Sequence, residues 1–122
     1  MIDRETFDRL VEEALSSIPE EFQAKLDNIE LLIADWPTRE QLKQAGLRPG
    51  QTLLGLYQGV PHTRRGSRYG LVPPDTITIF RGPIVVLGRT RSGVAHLIRR
   101  TVLHEIAHHF GFDEKRLRGL GY

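Results

Sequence analysis

The chain has 122 residues, of which 26% are charged, and a formal net charge of +2. This length predicts one domain, residues 1–122, that can bury a modest hydrophobic core without covalent crosslinks. The absence of cysteine excludes a disulfide scaffold and a cysteine-ligated zinc site. No apolar run approaches membrane-spanning length, and residues 1–15 have the pattern of an acidic amphipathic helix rather than a signal peptide. We therefore expect a cytoplasmic protein without a membrane partner.

The hydrophobic pattern predicts helices and strands in the order of an α+β protein. In chain order, the predicted elements are helix 3–17, strand 29–34, helix 39–45, strand 52–57 and strand 76–80. The apolar residues that the first helix turns inward are Phe7, Leu10, Val11, Ala14 and Leu15. Pro19 ends the first helix, whereas Thr38 caps the second and Gly46 stops it. The tripeptide Arg81-Gly82-Pro83 interrupts the last strand before the apolar run 84–87.

A long helix is expected in the last third of the chain. Apolar residues recur between Val94 and Phe110, mostly at spacings of three and four. Ser92 or Thr90 offers the N-cap, and Gly111 is a C-terminal stop signal. The apolar positions cover more than one narrow stripe, so we expect burial on several sides. The predicted architecture is a small mixed sheet packed on this buried helix.

Residues 104–108 of this helix have the pattern H-E-x-x-H. On an α-helix, His104 and His108 differ by about 40° in azimuth, so their imidazoles can bind one Zn²⁺ together. Glu105 lies about 100° from His104, where it can reach a water on the metal without being a ligand. The alternative is a buried helix whose histidines only form hydrogen bonds. The spacing favours a zinc hydrolase with one Zn²⁺ per chain.

A third zinc ligand is expected after the motif, where two carboxylates follow a glycine. If the helix continued through Gly111, Glu114 would point about 100° away from the histidines and Asp113 nearly opposite them. A positive φ at Gly111 lets the chain turn back under the metal. Related sites place their third ligand three residues after this glycine, which is the position of Glu114, so we prefer Glu114 over Asp113. The alternative for both is solvent exposure, or ion pairs with Lys115 and Arg116.

The stretch HEIAHHFGFDE, residues 104–114, resembles the metal-binding stretch of the small bacterial zincin-like metallopeptidases, or mini-zincins. Its glycine spacing is similar to the H-E-x-x-H-x-x-G-x-x-H/D pattern of metzincins and aspzincins. The resemblance implies a minimal zincin-like fold and the hydrolysis of a peptide or protein substrate. It also implies His104 and His108 as zinc ligands, Glu105 as general base and Glu114 as third ligand. The chain departs from the pattern at position 114, where Glu replaces His or Asp.

A second departure concerns the support beneath the metal. Metzincins place a methionine turn after the third ligand, whereas the only methionine of this chain is Met1. Support beneath the imidazoles therefore falls to Leu117, Leu120 or Tyr122. We favour Tyr122, which offers an aromatic body and a hydrogen-bonding tip. A frayed C-terminus is the equal alternative.

Three further features are assigned to the surroundings of the motif. His109 is interpreted as a supporting or surface histidine in preference to a residue of the cleft. Strand 76–80 is chosen as the exposed edge that pairs with an extended peptide. The basic stretch 61–70 is interpreted as a solvated loop or one that flanks the cleft and favours acidic substrates, and nucleic-acid binding is disfavoured. A homodimer is left open.

The rival hypothesis is a non-catalytic zincin-like module that binds a metal or a partner. The short chain leaves little room for the lower subdomain of a peptidase cleft, and position 114 departs from the family pattern. The intact Glu105 argues for catalysis, because a structural zinc site does not need a carboxylate there. The sequence thus favours a zinc-dependent metallopeptidase.

Overall fold

The fold was analysed in a computed structural model that describes residues 2–48, 50–59, 74–111 and 114–119. In chain order, the elements are α1 (Arg4–Ser16), α2 (Glu20–Leu26), β1 (Ile29–Ala34), α3 (Arg39–Gln44), β2 (Gly55–Gln58), β3 (Asp75–Phe80), α4 (Arg81–Gly88), α5 (Arg91–Phe110) and α6 (Glu114–Gly119). The predicted α+β class is confirmed. No helix in these ranges combines the length and the apolar character needed to cross a membrane.

The three strands form a mixed sheet in the order β1-β3-β2. Strand β1 runs parallel to β3, with Ala34 opposite Phe80. Strand β2 runs antiparallel to β3, with Gly55 opposite Ile79. The predicted strand 76–80 therefore lies at the centre of the sheet, and its choice as an exposed edge is wrong. Among the described strands, the outer positions belong to β1 and β2.

The hydrophobic core lies between the sheet and the helices α1 and α5. Helix α5 packs against α1, α4, β2 and β3. From the sheet, Ile77 and Ile79 enter the core and are fully buried. The buried residues of α5 spread around the helix: Val94, Ile98, Thr101, Val102, Leu103, Ile106 and Ala107. This distribution confirms that the motif-bearing helix is buried on several sides.

Local capping signals explain where the predicted helices begin. Asp3 caps α1, and its carboxylate accepts a hydrogen bond from the Thr6 N–H at 2.8 Å. Thr38 forms a capping box with Gln41 at the start of α3. Thr90, one of the two expected N-caps, accepts a hydrogen bond from a backbone N–H at 3.0 Å and starts α5. These side chains satisfy N–H groups that have no partner within the helix.

The predicted interruption at Arg81-Gly82-Pro83 is confirmed, because β3 ends at Phe80, but the apolar run 84–87 belongs to the helix α4. Pro83 lies in the first turn of α4, where a missing N–H costs no helical hydrogen bond. The apolar run 84–87 suits a buried helix as well as a strand. The turn is fixed to the end of β1, because the Gly82 N–H donates to the Asp35 carbonyl oxygen at 2.8 Å.

Two smaller differences concern α2 and β2. The sequence does not predict helix α2. The helix has only seven residues and buries only Phe22, so it has no repeated apolar pattern. Strand β2 begins at Gly55 rather than at position 52. Both differences lie in short segments whose periodicity is weak, so packing rather than local pattern decides their structure.

Candidate metal centre

The H-E-x-x-H residues lie on the last two turns of α5, which is helical through Phe110. His104 is partly buried and His108 is exposed. The Nε2 atom of His104 is buried and has no hydrogen-bond partner among the described residues. Leaving such an atom unsatisfied costs roughly 1–3 kcal/mol. A metal ion on Nε2 would remove this cost, so His104 fits the predicted zinc site.

Glu105 is held by the backbone of the neighbouring strand. Its Oε1 atom accepts a hydrogen bond from the Tyr57 N–H at 2.9 Å. Burial raises the pKa of this carboxyl group, while the Tyr57 N–H and the charge of His108 act in the opposite direction. A raised pKa makes a carboxylate a better proton acceptor.

The register of β2 explains why the Tyr57 N–H is available to Glu105. In an antiparallel pair, successive residues turn their N–H and C=O groups alternately toward the partner strand and away from it. The Phe80 N–H donates to the Leu54 carbonyl oxygen at 2.9 Å, so Leu54 turns toward β3. Three residues later, Tyr57 turns its N–H away from β3 and toward α5.

Strand β2 approaches α5 closely at Gly55. A Cβ atom at this position would lie 2.5 Å from Thr101 Cγ2 and 3.3 Å from the Thr78 carbonyl oxygen. It would also lie 3.8 Å from Glu105 Cγ. The missing side chain thus allows the close approach that brings Tyr57 and Glu105 together.

A surface pocket of about 320 Å³ opens at this junction. Its lining residues are Leu54, Gly55, Arg100, Thr101, His104 and Glu105. Arg100 was not singled out in the sequence, although it precedes His104 by four residues and therefore shares its helix face. The pocket places a basic group beside the proposed ligand His104 and the proposed base Glu105.

A polar aromatic cluster supports the far end of β2. The Tyr57 ring stacks on His109 with a centroid distance of 3.8 Å and an interplanar angle of 14°. The Tyr57 hydroxyl donates to Asp75 Oδ2 at 2.6 Å, and His109 Nε2 lies 3.9 Å from the same oxygen. His109 therefore contacts the side chain that anchors β2 and is not among the residues that line the pocket. This arrangement agrees with the supporting role preferred from the sequence.

Gly111, at the end of α5, has the positive φ that the third-ligand hypothesis assumes. Gly111 caps the helix in the left-handed region, with φ 74° and ψ 23°. The chain then enters α6 at Glu114, and Leu117 packs into the core at 1% exposure. The predictions that lie outside the described residues concern Asp113, the Glu114 side chain, Leu120, Tyr122 and the stretch 61–70. Among the side chains that the structure describes, no group of three His, Asp or Glu is placed to hold a metal, and Glu114 stays a prediction.

Comparison with known proteins identifies the family. The chain matches no curated protein sequence. A solved structure, described as a conserved hypothetical protein from Thermo thermophilus, is similar with a TM-score of 0.57 and 20% sequence identity. That similarity covers 96% of this chain and 98% of the other, and at this identity it shows the fold alone. A family model described as zincin-like metallopeptidase matches residues 26–122, and the chain belongs to this family.

Proposed function

We propose that this protein is a zinc-dependent metallopeptidase that hydrolyses peptide bonds where α5 meets β2. The observation that carries the proposal is the buried Nε2 of His104, which lacks a partner in the described part of the chain and shares a pocket with Glu105. Membership of the zincin-like metallopeptidase family supports it.

His104, His108 and Glu114 are the residues that would hold one zinc ion per chain. Two imidazole nitrogens and one carboxylate oxygen form a donor set that suits catalytic zinc and leaves a position open for water. When bound, zinc would acidify a water molecule and polarise the carbonyl group of the scissile bond. The left-handed Gly111 supports this set, because it redirects the chain before Glu114.

Glu105 is the proposed general base. The Tyr57 N–H fixes the carboxylate through Oε1, which leaves Oε2 to take a proton from the attacking water. The same carboxyl group then delivers the proton to the leaving amine, as general acid–base catalysis requires. Positioning by a backbone N–H keeps the carboxylate orientation independent of any mobile side chain.

Strand β2 replaces strand 76–80 as the proposed docking edge for the substrate. Gly55 turns its N–H and C=O groups away from β3, and Tyr57 turns its carbonyl group the same way, while the Tyr57 N–H binds Glu105. An extended peptide can use such groups in main-chain hydrogen bonds. The proposed partner is therefore a peptide or an extended protein segment. Cytoplasmic location and homodimer formation stay predictions of the sequence.

Metal analysis of the purified protein, combined with a peptide-cleavage screen, tests the function. We expect one zinc per chain, retained in Glu105→Gln and weakened or lost in Glu114→Ala. We also expect wild-type protein to cleave peptides of a fluorogenic library and Glu105→Gln to lose this activity at equal zinc content. Zinc binding without cleavage would favour the rival, a non-catalytic zincin-like module. Failure to retain zinc after incubation and dialysis would refute the metal site.

A further inference from the structure

We propose that Arg100 selects substrates that carry a carboxylate within about three residues of the scissile bond. The carboxylate is either an acidic side chain or the C-terminus of the peptide. This inference rests on the proposed peptidase function and adds a specificity-determining residue to it. Three observations support it: the position of Arg100 on α5, its lack of an acidic partner among the described residues, and the form of the pocket. The known length of an extended peptide then gives the range.

The position of Arg100 follows from helix geometry. Arg100 precedes His104 by one helical turn, about 6 Å along the axis, and both residues line the same pocket. Side chains on a helix lean toward its N-terminus, so the guanidinium extends away from the histidines along the pocket. The guanidinium therefore lies roughly 6–10 Å from His104 along the helix axis. An extended peptide rises about 3.3 Å per residue, so this distance corresponds to two or three residues of an extended substrate.

The charge of Arg100 has no acidic partner in the described part of the chain. In contrast, Arg4 and Arg81 both form ion pairs with Asp35. The Arg100 side chain is exposed at the mouth of a pocket that is open to solvent. A substrate carboxylate can therefore reach the guanidinium without displacing an ion pair of the protein.

The pocket also fits the rest of an acidic residue. Leu54 and Gly55 line the pocket from the β2 side, whereas Arg100 lines it from α5, and Leu54 is partly exposed. An apolar wall can contact the methylene groups of a glutamate while the guanidinium binds its carboxylate. Arginine suits this role better than lysine, because its planar fork binds both carboxylate oxygens at once.

The test is a peptide series that differs only in charge around the cleavage site. Starting from a cleaved library peptide, Glu, Gln or Lys is placed at each of the three positions on either side of the bond. Each peptide is made with a C-terminal amide, and short versions are also made with a free acid. At one position we expect kcat/KM for the Glu peptide to exceed that for the Gln peptide by about 5- to 10-fold. If the C-terminus is the carboxylate recognised, the free acid should exceed the amide by a similar factor instead.

Variants of the protein test whether Arg100 causes this preference for a carboxylate. In Arg100→Gln the preference should fall to about 1, mainly through KM, and in Arg100→Glu it should reverse in favour of Lys. Arg99→Gln is the matched control, since it removes the same charge from the preceding residue, which does not line the pocket. Circular dichroism and zinc content verify that the variants remain folded and loaded.

The outcomes separate this inference from the proposed function. If Arg100→Gln cleaves peptides with an unchanged Glu-to-Gln ratio, the inference is wrong and the peptidase function stands. If no peptide is cleaved, pairs of fluorescently labelled library peptides that differ only by Glu or Gln are used instead, and their binding to zinc-loaded Glu105→Gln, with and without Arg100→Gln, is followed by fluorescence anisotropy. Selective binding that Arg100→Gln abolishes supports carboxylate recognition without hydrolysis. Equal affinity for the Glu and Gln peptides overturns it.

Discussion

Gly55→Ala tests whether the close approach of β2 to α5 positions the proposed general base. The new Cβ would lie 2.5 Å from Thr101 Cγ2, whereas carbon atoms in contact are normally about 3.5–4.0 Å apart. The strand must therefore move away from the helix by about 1 Å, or the buried Thr101 must change its rotamer. A shift of this size would lengthen the 2.9 Å bond between Tyr57 and Glu105 beyond hydrogen-bond distance.

Both consequences of the shift can be converted into free energies. Overpacking of a buried contact costs about 1–3 kcal/mol, and loss of a hydrogen bond to a charged group costs about 1.5–3 kcal/mol. Because a movement of the strand relieves the clash but breaks the hydrogen bond, the two costs do not add in full, and we expect a total loss of about 2–4 kcal/mol in the free energy of unfolding. For a domain of this size that corresponds to a fall in Tm of roughly 8–16 °C.

The assay is a double-mutant cycle with Thr101→Ser, which removes the clashing Cγ2 atom and keeps the hydroxyl group. Urea unfolding of the two single variants and the double variant gives the coupling energy. We expect the double variant to recover at least about 1 kcal/mol relative to additivity, and to recover peptide hydrolysis as well. Gly119→Ala is the control, since no described atom lies within 4 Å of its added Cβ. Strict additivity of Gly55→Ala and Thr101→Ser would refute the steric argument.

Three further outcomes are expected. Tyr57→Phe removes the hydroxyl that donates to Asp75, so unfolding free energy should fall by about 1–3 kcal/mol in urea titrations, with zinc content unchanged. The hydrogen bond from Arg81 holds the pKa of Asp35 below its usual range. The stability that Asp35 contributes is therefore present above its unfolded pKa, near 3.9, and is lost as the pH falls through the lower folded pKa. Asp35→Asn should accordingly flatten the acid limb of a plot of Tm against pH, and an unchanged limb would contradict this ion pair. Free zinc at 100 times its Kd should stabilise the wild type by about 2.7 kcal/mol, and calorimetry of His104→Ala should show little of this gain.

The sequence predicted the parts of the fold that are encoded within a few residues. Strand β1 has the predicted bounds 29–34, and the caps Thr38 and Thr90 begin their helices. Gly111 adopts the positive φ that its position after the motif indicated. Each of these signals depends on hydrogen bonds or dihedral angles of neighbouring residues, so no knowledge of the tertiary structure is needed to recognise it.

The order of the strands depends on contacts between distant residues, and there the sequence failed. The sequence predicts an exposed edge at strand 76–80, but this strand, β3, pairs with both β1 and β2. Hydrophobic alternation shows which face of a strand is buried but not which strands lie beside it. The run 84–87 could not be assigned to a helix for a related reason, since four apolar residues fit α4 as well as a strand.

In the proposed site, too, some residues could be predicted from the sequence and others could not. His104 and Glu105 could be chosen from helix geometry, because their relative positions are set within one turn. Their partners on β2 could not be chosen, because the Tyr57 N–H that binds Glu105 belongs to the backbone and every residue except proline has one. The role of Gly55 in the close approach to α5 could not be predicted either, since a glycine at the start of a strand usually indicates a turn or a bulge.

These contacts make β2 a structural support of the proposed base as well as the proposed docking edge. Gly55 sets the distance between β2 and α5, and Tyr57 then holds Glu105 through its N–H. At the other end of β2, Tyr57 is fixed by Asp75 and by stacking on His109. A peptide bound along β2 would therefore be aligned by the same strand that orients the carboxylate. Because one rigid strand performs both tasks, a displacement of β2 should impair substrate binding and proton transfer together, whereas loss of Arg100 should change only the choice of substrate.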